Sequence, residues 1–176
     1  MTSFLPLLNS NDHIQGFPEA TIELIEYGDF QDPACASAYP LIKMLQQNFG
    51  KALRFVFRHF PLADRHVYAL PAAIAAEAAA RQGKFWEMHN LIFEKQEYLN
   101  EYALLEFAIH LRLKLNAFKK DLLDDSISEK VKAHFDSGIK YGVSSAPCFF
   151  INGEKFCGEI DYVQMAEAMT EHHNII

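Results

Sequence analysis

The stretch Tyr27-Gly-Asp-Phe-Gln-Asp-Pro-Ala-Cys-Ala-Ser-Ala-Tyr39 carries the residue types best suited to chemistry, and its centre is Asp32-Pro33-Ala34-Cys35. Asp before Pro is a strong helix start. The carboxylate accepts backbone N–H groups that lack a helical partner, while Pro33 fills the first helical position, where no N–H is needed. A helix N-terminus also favours negative charge, by about 0.3–1 kcal/mol at an exposed site. It suits a carboxylate or a thiolate, and here Asp32 stands first with Cys35 three residues on.

Two further cysteines flank the clearest turn signal in the chain. Pro147-Cys-Phe-Phe-Ile151 and Glu154-Lys-Phe-Cys157 are β-prone runs joined by Asn152-Gly153, the pair that a two-residue type I′ hairpin favours. In that register Ile151 faces Glu154 and Cys148 faces Cys157. The cysteines then occupy a non-hydrogen-bonded pair with Cα atoms about 4.5 Å apart, at the short end of disulfide geometry. A bridge there adds about 2–3 kcal/mol, whereas a reducing compartment leaves two free thiols. The sequence leaves both outcomes open.

The eight histidines offer no ligand spacing: His59, His66, His89, His110 and His134 fall on separate elements and His172-His173 is a tail pair. They read as packing or surface residues, and no metal or other cofactor is expected. Asp29 reads as a turn residue and Asp32 as a cap, rather than as an acid–base pair.

The elements around these residues follow from periodicity. Thr21–Glu26 alternates and is β-branched, which predicts a strand. Residues 36–49 place Tyr39, Ile42, Leu45 and Phe49 at helical spacing, with Pro40 bending the first turns and Gly50 as the stop. Arg54–Phe60 is a second strand, completing a right-handed parallel strand–helix–strand unit. The pattern is then helical, with helices near 68–82, 84–96, 101–113, 116–124 and 127–141. After the hairpin a last helix runs over about 161–171, and the tail His172–Ile176 is expected to fray.

The 176 residues, half of them hydrophobic and fifteen of them Phe, fit one well-packed domain. A net charge of −7 without a basic run argues against a nucleic-acid partner. The start, Met1–Asn9, lacks a basic region and its apolar patch is broken by Pro6, unlike a signal peptide. The longest apolar run, residues 70–80, contains Pro71 and Glu77 and falls short of the roughly 20 residues that span a bilayer. These features predict a cytoplasmic protein with no membrane span.

Four separated segments carry a resemblance. Glu23-Leu-Ile-Glu-Tyr-Gly-Asp-Phe-Gln31, Phe55-Val-Phe-Arg-His-Phe-Pro-Leu62, Gln82-Gly-Lys-Phe-Trp-Glu-Met-His89 and Ala146-Pro-Cys-Phe-Phe-Ile-Asn-Gly153 resemble the bacterial DsbA-like thiol-disulfide oxidoreductases. That family also occurs as a thioredoxin-like domain fused to some sodium/proton antiporters. The resemblance covers about residues 12–170. It implies an α/β thioredoxin fold, a central mixed β-sheet flanked by helices, with a DsbA-type helical insertion. The implied divisions are a lead-in at 1–18, a core at 19–63 and 142–172, and an inserted helical subdomain at 64–141.

In that family the segment after Gly-Asp-Phe-Gln reads Cys-Pro-x-Cys. Asp32 therefore stands where the resemblance places the nucleophilic cysteine, and Cys35 matches the resolving one. Pro147 matches the cis-proline that faces them, and Glu26 the acidic residue beneath the dithiol. Disulfide exchange needs an accessible low-pKa thiolate and a second thiol, and Asp32 cannot attack a disulfide. The helix end helps a Cys35 thiolate by about 1 kcal/mol, while a carboxylate roughly 5 Å away costs about 3 at an effective dielectric near 20. Conventional exchange is thus expected to be absent or reduced. Further readings are a peptide-binding module that keeps the cis-proline groove for extended peptides or protein thiols, a kappa-type glutathione transferase, and a Cys35–Cys148 bridge.

Overall fold

Residues 13–16, expected to belong to a loose lead-in, form an edge strand. The computed structural model describes residues 5–174, and in it His13–Gly16 (β1) pairs antiparallel with Leu53–His59 (β3), His13 opposite Phe57. A short segment ending in Gly has little intrinsic strand preference. Its conformation comes from the partner.

Ile22–Gly28 (β2) runs parallel to β3, with Ile22 opposite Leu53 and Gly28 opposite His59. Both strands are almost continuously buried, as expected of the two centre strands of a sheet covered on both faces. Cys148–Ile151 (β4) runs antiparallel to β2, and Glu154–Lys155 (β5) returns beside β4. The order β1-β3-β2-β4-β5 is the mixed sheet of a thioredoxin fold. The hairpin has the predicted register, Ile151 opposite Glu154 and Phe150 opposite Lys155. Asn152 and Gly153 both take positive φ, 47° and 85°, as a type I′ turn requires.

Pro33–Phe49 (α1) joins β2 to β3 and buries Cys35, Ala38, Ile42 and Leu45. Five helices lie between β3 and β4: Ala69–Ala80 (α2), Phe85–Glu94 (α3), Glu101–His110 (α4), Leu115–Asp121 (α5) and Asp125–Lys140 (α6). Their order is the predicted one. The final helix, Tyr162–Asn174 (α7), runs beyond the predicted end and takes in residues 172–174 of the tail expected to fray; residues 175–176 of that tail, like the extreme start of the lead-in, fall outside the described residues. No helix among the described residues is long and apolar enough to cross a membrane.

Seven alanines of α2 are buried, and their small side chains let neighbouring helices close in on almost every side. α6 comes as near to β3 at Gly138, where an added Cβ would stand 2.7 Å from the Phe60 ring. Phe60 also stacks on Phe135 at 4.5 Å between ring centroids. Beside them the buried Arg58 donates through Nε and Nη2 to both carboxylate oxygens of Asp12, each at 2.8 Å, and through Nη1 to the Tyr27 hydroxyl. That bidentate pair fixes the segment leading into β1 against the sheet.

Candidate active site

At the end of β2 the chain leaves the sheet at Gly28, turns through residues 29–32 and enters α1. Asp32 has extended φ/ψ of −75° and 124°, and its Oδ1 accepts from the N–H groups of Ala34 at 2.7 Å and Cys35 at 3.3 Å. Pro33 occupies the first turn. The helix start therefore has the predicted form, and the carboxylate uses the very N–H groups that would otherwise face an anion.

Cys35 is fully buried, 0% exposed. Its Sγ accepts from the backbone N–H of Asp29 at 3.4 Å. Burial pushes the thiol well above its ordinary pKa, with Glu26, Asp32 and Asp29 adding in the same direction and the Asp29 N–H opposing. The direction matches the electrostatic expectation, but burial outranks the neighbouring charges as its cause. Glu26, 3% exposed on β2, is pushed up to about 8 by burial. It is a neutral acid at pH 7, whose charge bears on Cys35 only above that range.

The Ala146–Pro147 peptide bond is cis. Because Cys148 lies opposite Tyr27 and Phe149 opposite Glu26, the antiparallel register brings Pro147 to the sheet end where β2 gives way to the turn. The structure thus gathers Glu26, Asp32, Cys35 and Pro147 at one end of the sheet. It does not bridge the cysteines: Cys35, Cys148 and Cys157 are all free. The Phe156 N–H still reaches the Phe149 carbonyl at 2.9 Å, but β5 has ended. Cys157 is exposed, with its Sγ 3.6 Å from the Lys155 carbonyl, and Cys148 is buried. Neither the Cys148–Cys157 pair nor the Cys35–Cys148 pair is joined.

Sequence reasoning missed the groups that hold the turn in place. Asp29 is only 1% exposed. Its Oδ1 accepts from the Gln31 N–H at 2.8 Å, the local turn contact that was expected. Its Oδ2 accepts from the Leu62 N–H at 2.9 Å and from His66 Nδ1 at 2.8 Å, tying the turn to the loop after β3. Gln31 Oε1 accepts from the Tyr68 N–H at 2.6 Å, and Gln96 Nε2 donates to the carbonyls of Phe30 and Asp32, each at 2.9 Å. These partners lie 33–66 residues away in sequence, so no local pattern announces them.

Comparison with known proteins agrees with this architecture. The family model described as Thioredoxin matches residues 8–171. The Na(+)/H(+) antiporter NhaA 1 of Salinispora arenicola is 39% identical over 166 residues, covering 94% of this chain and 25% of that protein. The NhaA antiporter of Herminiimonas arsenicoxydans is 36% identical over 150 residues, covering 85% of this chain and 24% of its own length. The chain thus spans about a quarter of the curated relatives it matches. Among solved structures, alpha-DsbA1 of Wolbachia pipientis superposes with a TM-score of 0.85 at 22% identity, covering 98% of this chain and 94% of that one. Oxidised BdbD of Bacillus subtilis gives 0.84 at 20% identity, covering 93% and 94%. The shared fold, together with a family model that spans nearly all the described residues, shows that this chain belongs to the thioredoxin family and has the DsbA-like form of its fold.

Proposed function

We propose that this chain is a DsbA-like oxidoreductase-family unit in which conventional dithiol exchange is absent or much reduced. One observation carries the reading: the position that would need an accessible thiol holds the helix-capping Asp32, and the Cys35 sulfur behind it is fully buried. A buried thiol whose ionisation burial opposes supplies neither nucleophile nor leaving group at neutral pH.

Binding of extended peptide is the second reading, and a specific feature favours it. A concavity of about 530 Å³, lined by Pro61, Leu62, Leu70, Val131, Phe135 and Ser144, lies beside the loop that carries Pro147. Its mainly apolar walls suit side chains of an extended segment laid along that loop. Glutathione binding of the kappa type has less support, since Asp32 already occupies the Ala34 and Cys35 N–H groups that would hold a thiolate.

The test is turnover of a disulfide substrate, followed as insulin reduction in the presence of a small dithiol. The native chain is expected to show none above background, and Asp32→Cys to gain it. Robust turnover by the native chain would overturn the proposal. Lack of gain in a folded Asp32→Cys variant would show that more than the leading thiol has been lost.

A further inference from the structure

A second concentration of ionisable groups lies away from Cys35, where β1, β3, α2 and α6 meet. His13 Nε2 and His59 Nε2 each stand 2.8 Å from Glu77 Oε1. Lys130 Nζ is 2.8 Å from Glu77 Oε2 and 3.0 Å from His13 Nε2. His134 Nδ1 accepts from the backbone N–H of His59 at 3.3 Å, and the two rings stack at 5.4 Å. His59, Glu77 and His134 are 1%, 3% and 3% exposed. One donor atom from each lies within 4.8 Å of the other two.

Two observations set this cluster apart from an ordinary buried ion pair. His59 Nδ1 and His134 Nε2 are inaccessible and have no hydrogen-bond partner, an arrangement that disfavours the folded state unless something binds there. The second is that Lys130 already presents a cation to Glu77 and to a ring nitrogen of His13. Its side chain is 24% exposed. With His13 and Glu77 it lines an open concavity of about 320 Å³ that gives access from solvent.

We propose that His59, Glu77 and His134, with His13 as a fourth donor, form a binding site for a divalent transition-metal ion of the zinc class, and that Lys130 is the tethered cation the ion displaces. Imidazoles with one carboxylate make a donor set that zinc, cobalt or nickel prefers; magnesium and calcium take oxygen ligands. Donors as much as 4.8 Å apart must draw in by about 1.5 Å to meet an ion at zinc–nitrogen bond lengths. His134 can do so through Nε2, which has no hydrogen bond to give up, while Nδ1 keeps its bond to the His59 N–H. Lys130 leaves through the concavity, which relieves the repulsion between ammonium and ion.

The test uses the full chain carrying His172→Ala and His173→Ala, so that the tail pair adds no background, freed of metal with a chelator and titrated with CoCl2 and then ZnCl2. One cobalt ion per chain is expected, with visible absorption bands of nitrogen and oxygen coordination that zinc abolishes. Zinc at 100 times its dissociation constant raises the folded-to-unfolded ratio about 100-fold, and a chelator reverses it. His134→Ala, with native circular dichroism, weakens binding at least about tenfold, while His110→Ala leaves it unchanged. Lys130→Met tightens binding at least about tenfold by removing the competing charge, an effect that a purely structural lysine would not give. Absence of stoichiometric cobalt binding, or binding left intact in both His134→Ala and Glu77→Gln, overturns the assignment.

Discussion

The turn at residues 29–35 and the cluster around Glu77 both bury carboxylates, yet they treat them in opposite ways. At the turn, Asp29 and Asp32 accept mainly from backbone N–H groups, and Gln31 and Gln96 extend that bonding to backbone on other elements. At the cluster, side chain meets side chain. Burial works against ionisation of Glu77, and hydrogen bonds from His13 and His59 outweigh it, holding the carboxyl below its usual range. Two of the three buried side-chain atoms without a partner, among the described residues, are in this cluster and none is on the turn. Backbone-directed bonds hold a shape. Side-chain bonds with spare ring nitrogens leave capacity for a ligand.

Removing the Glu77 carboxylate is the hardest test of that contrast. In the metal-free chain Glu77→Ala leaves Lys130 and two imidazoles without their acceptor, and a loss of about 3–5 kcal/mol in urea unfolding is expected. A loss below that of any turn variant would break the comparison.

Glu26 sharpens it from the other side, because it is a buried acid at the sheet end that stays protonated. Its folded pKa of about 8 lies above the ordinary 4.5, so the folded state binds the extra proton between those values. Its stabilising contribution is full below about pH 4.5 and is lost as pH rises through 8, on the order of 3 kcal/mol between pH 5 and 8. The stability difference between the native chain and Glu26→Gln, followed by urea unfolding, should fall by that amount across the range, because the buried His59, His89 and His134, all held below 6.5, impose the opposite trend on both chains. His89 pulls the other way: burial lowers it from 6.5 to about 3, so its contribution is present above 6.5 and lost as pH falls towards 3.

Asp29→Ala is expected to have the smallest effect, about 1.5–3 kcal/mol, from loss of hydrogen bonds to a charged acceptor. Amide hydrogen exchange at Leu62 should accelerate in this variant while exchange in β1 is unchanged. Equal acceleration at both would show that turn and cluster are one unit.

The readable parts of the chain are those whose cause is local. Asp32-Pro33 specifies its cap within three residues, and Asn152-Gly153 specifies a register because only certain residues take its φ angles. β1 was missed because its conformation is imposed by residues 54–57. Reading Asp29 as a turn residue accounts for its local contact to Gln31 and gives no sign of those to Leu62 and His66. Ligand spacing weighs His59 and His134 and leaves out His13 and Glu77, yet the four come from four different elements and only the fold makes them neighbours.

Gly138 sets a tolerance as well as a contact. It sits one helical turn after His134, against the ring of Phe60, which directly follows His59. The thickness of one methyl group therefore gauges how far α6 stands from β3, and with it how closely the His134 ring can approach His59. A position with no side chain of its own works here as the shim that sets the clearance between two imidazoles.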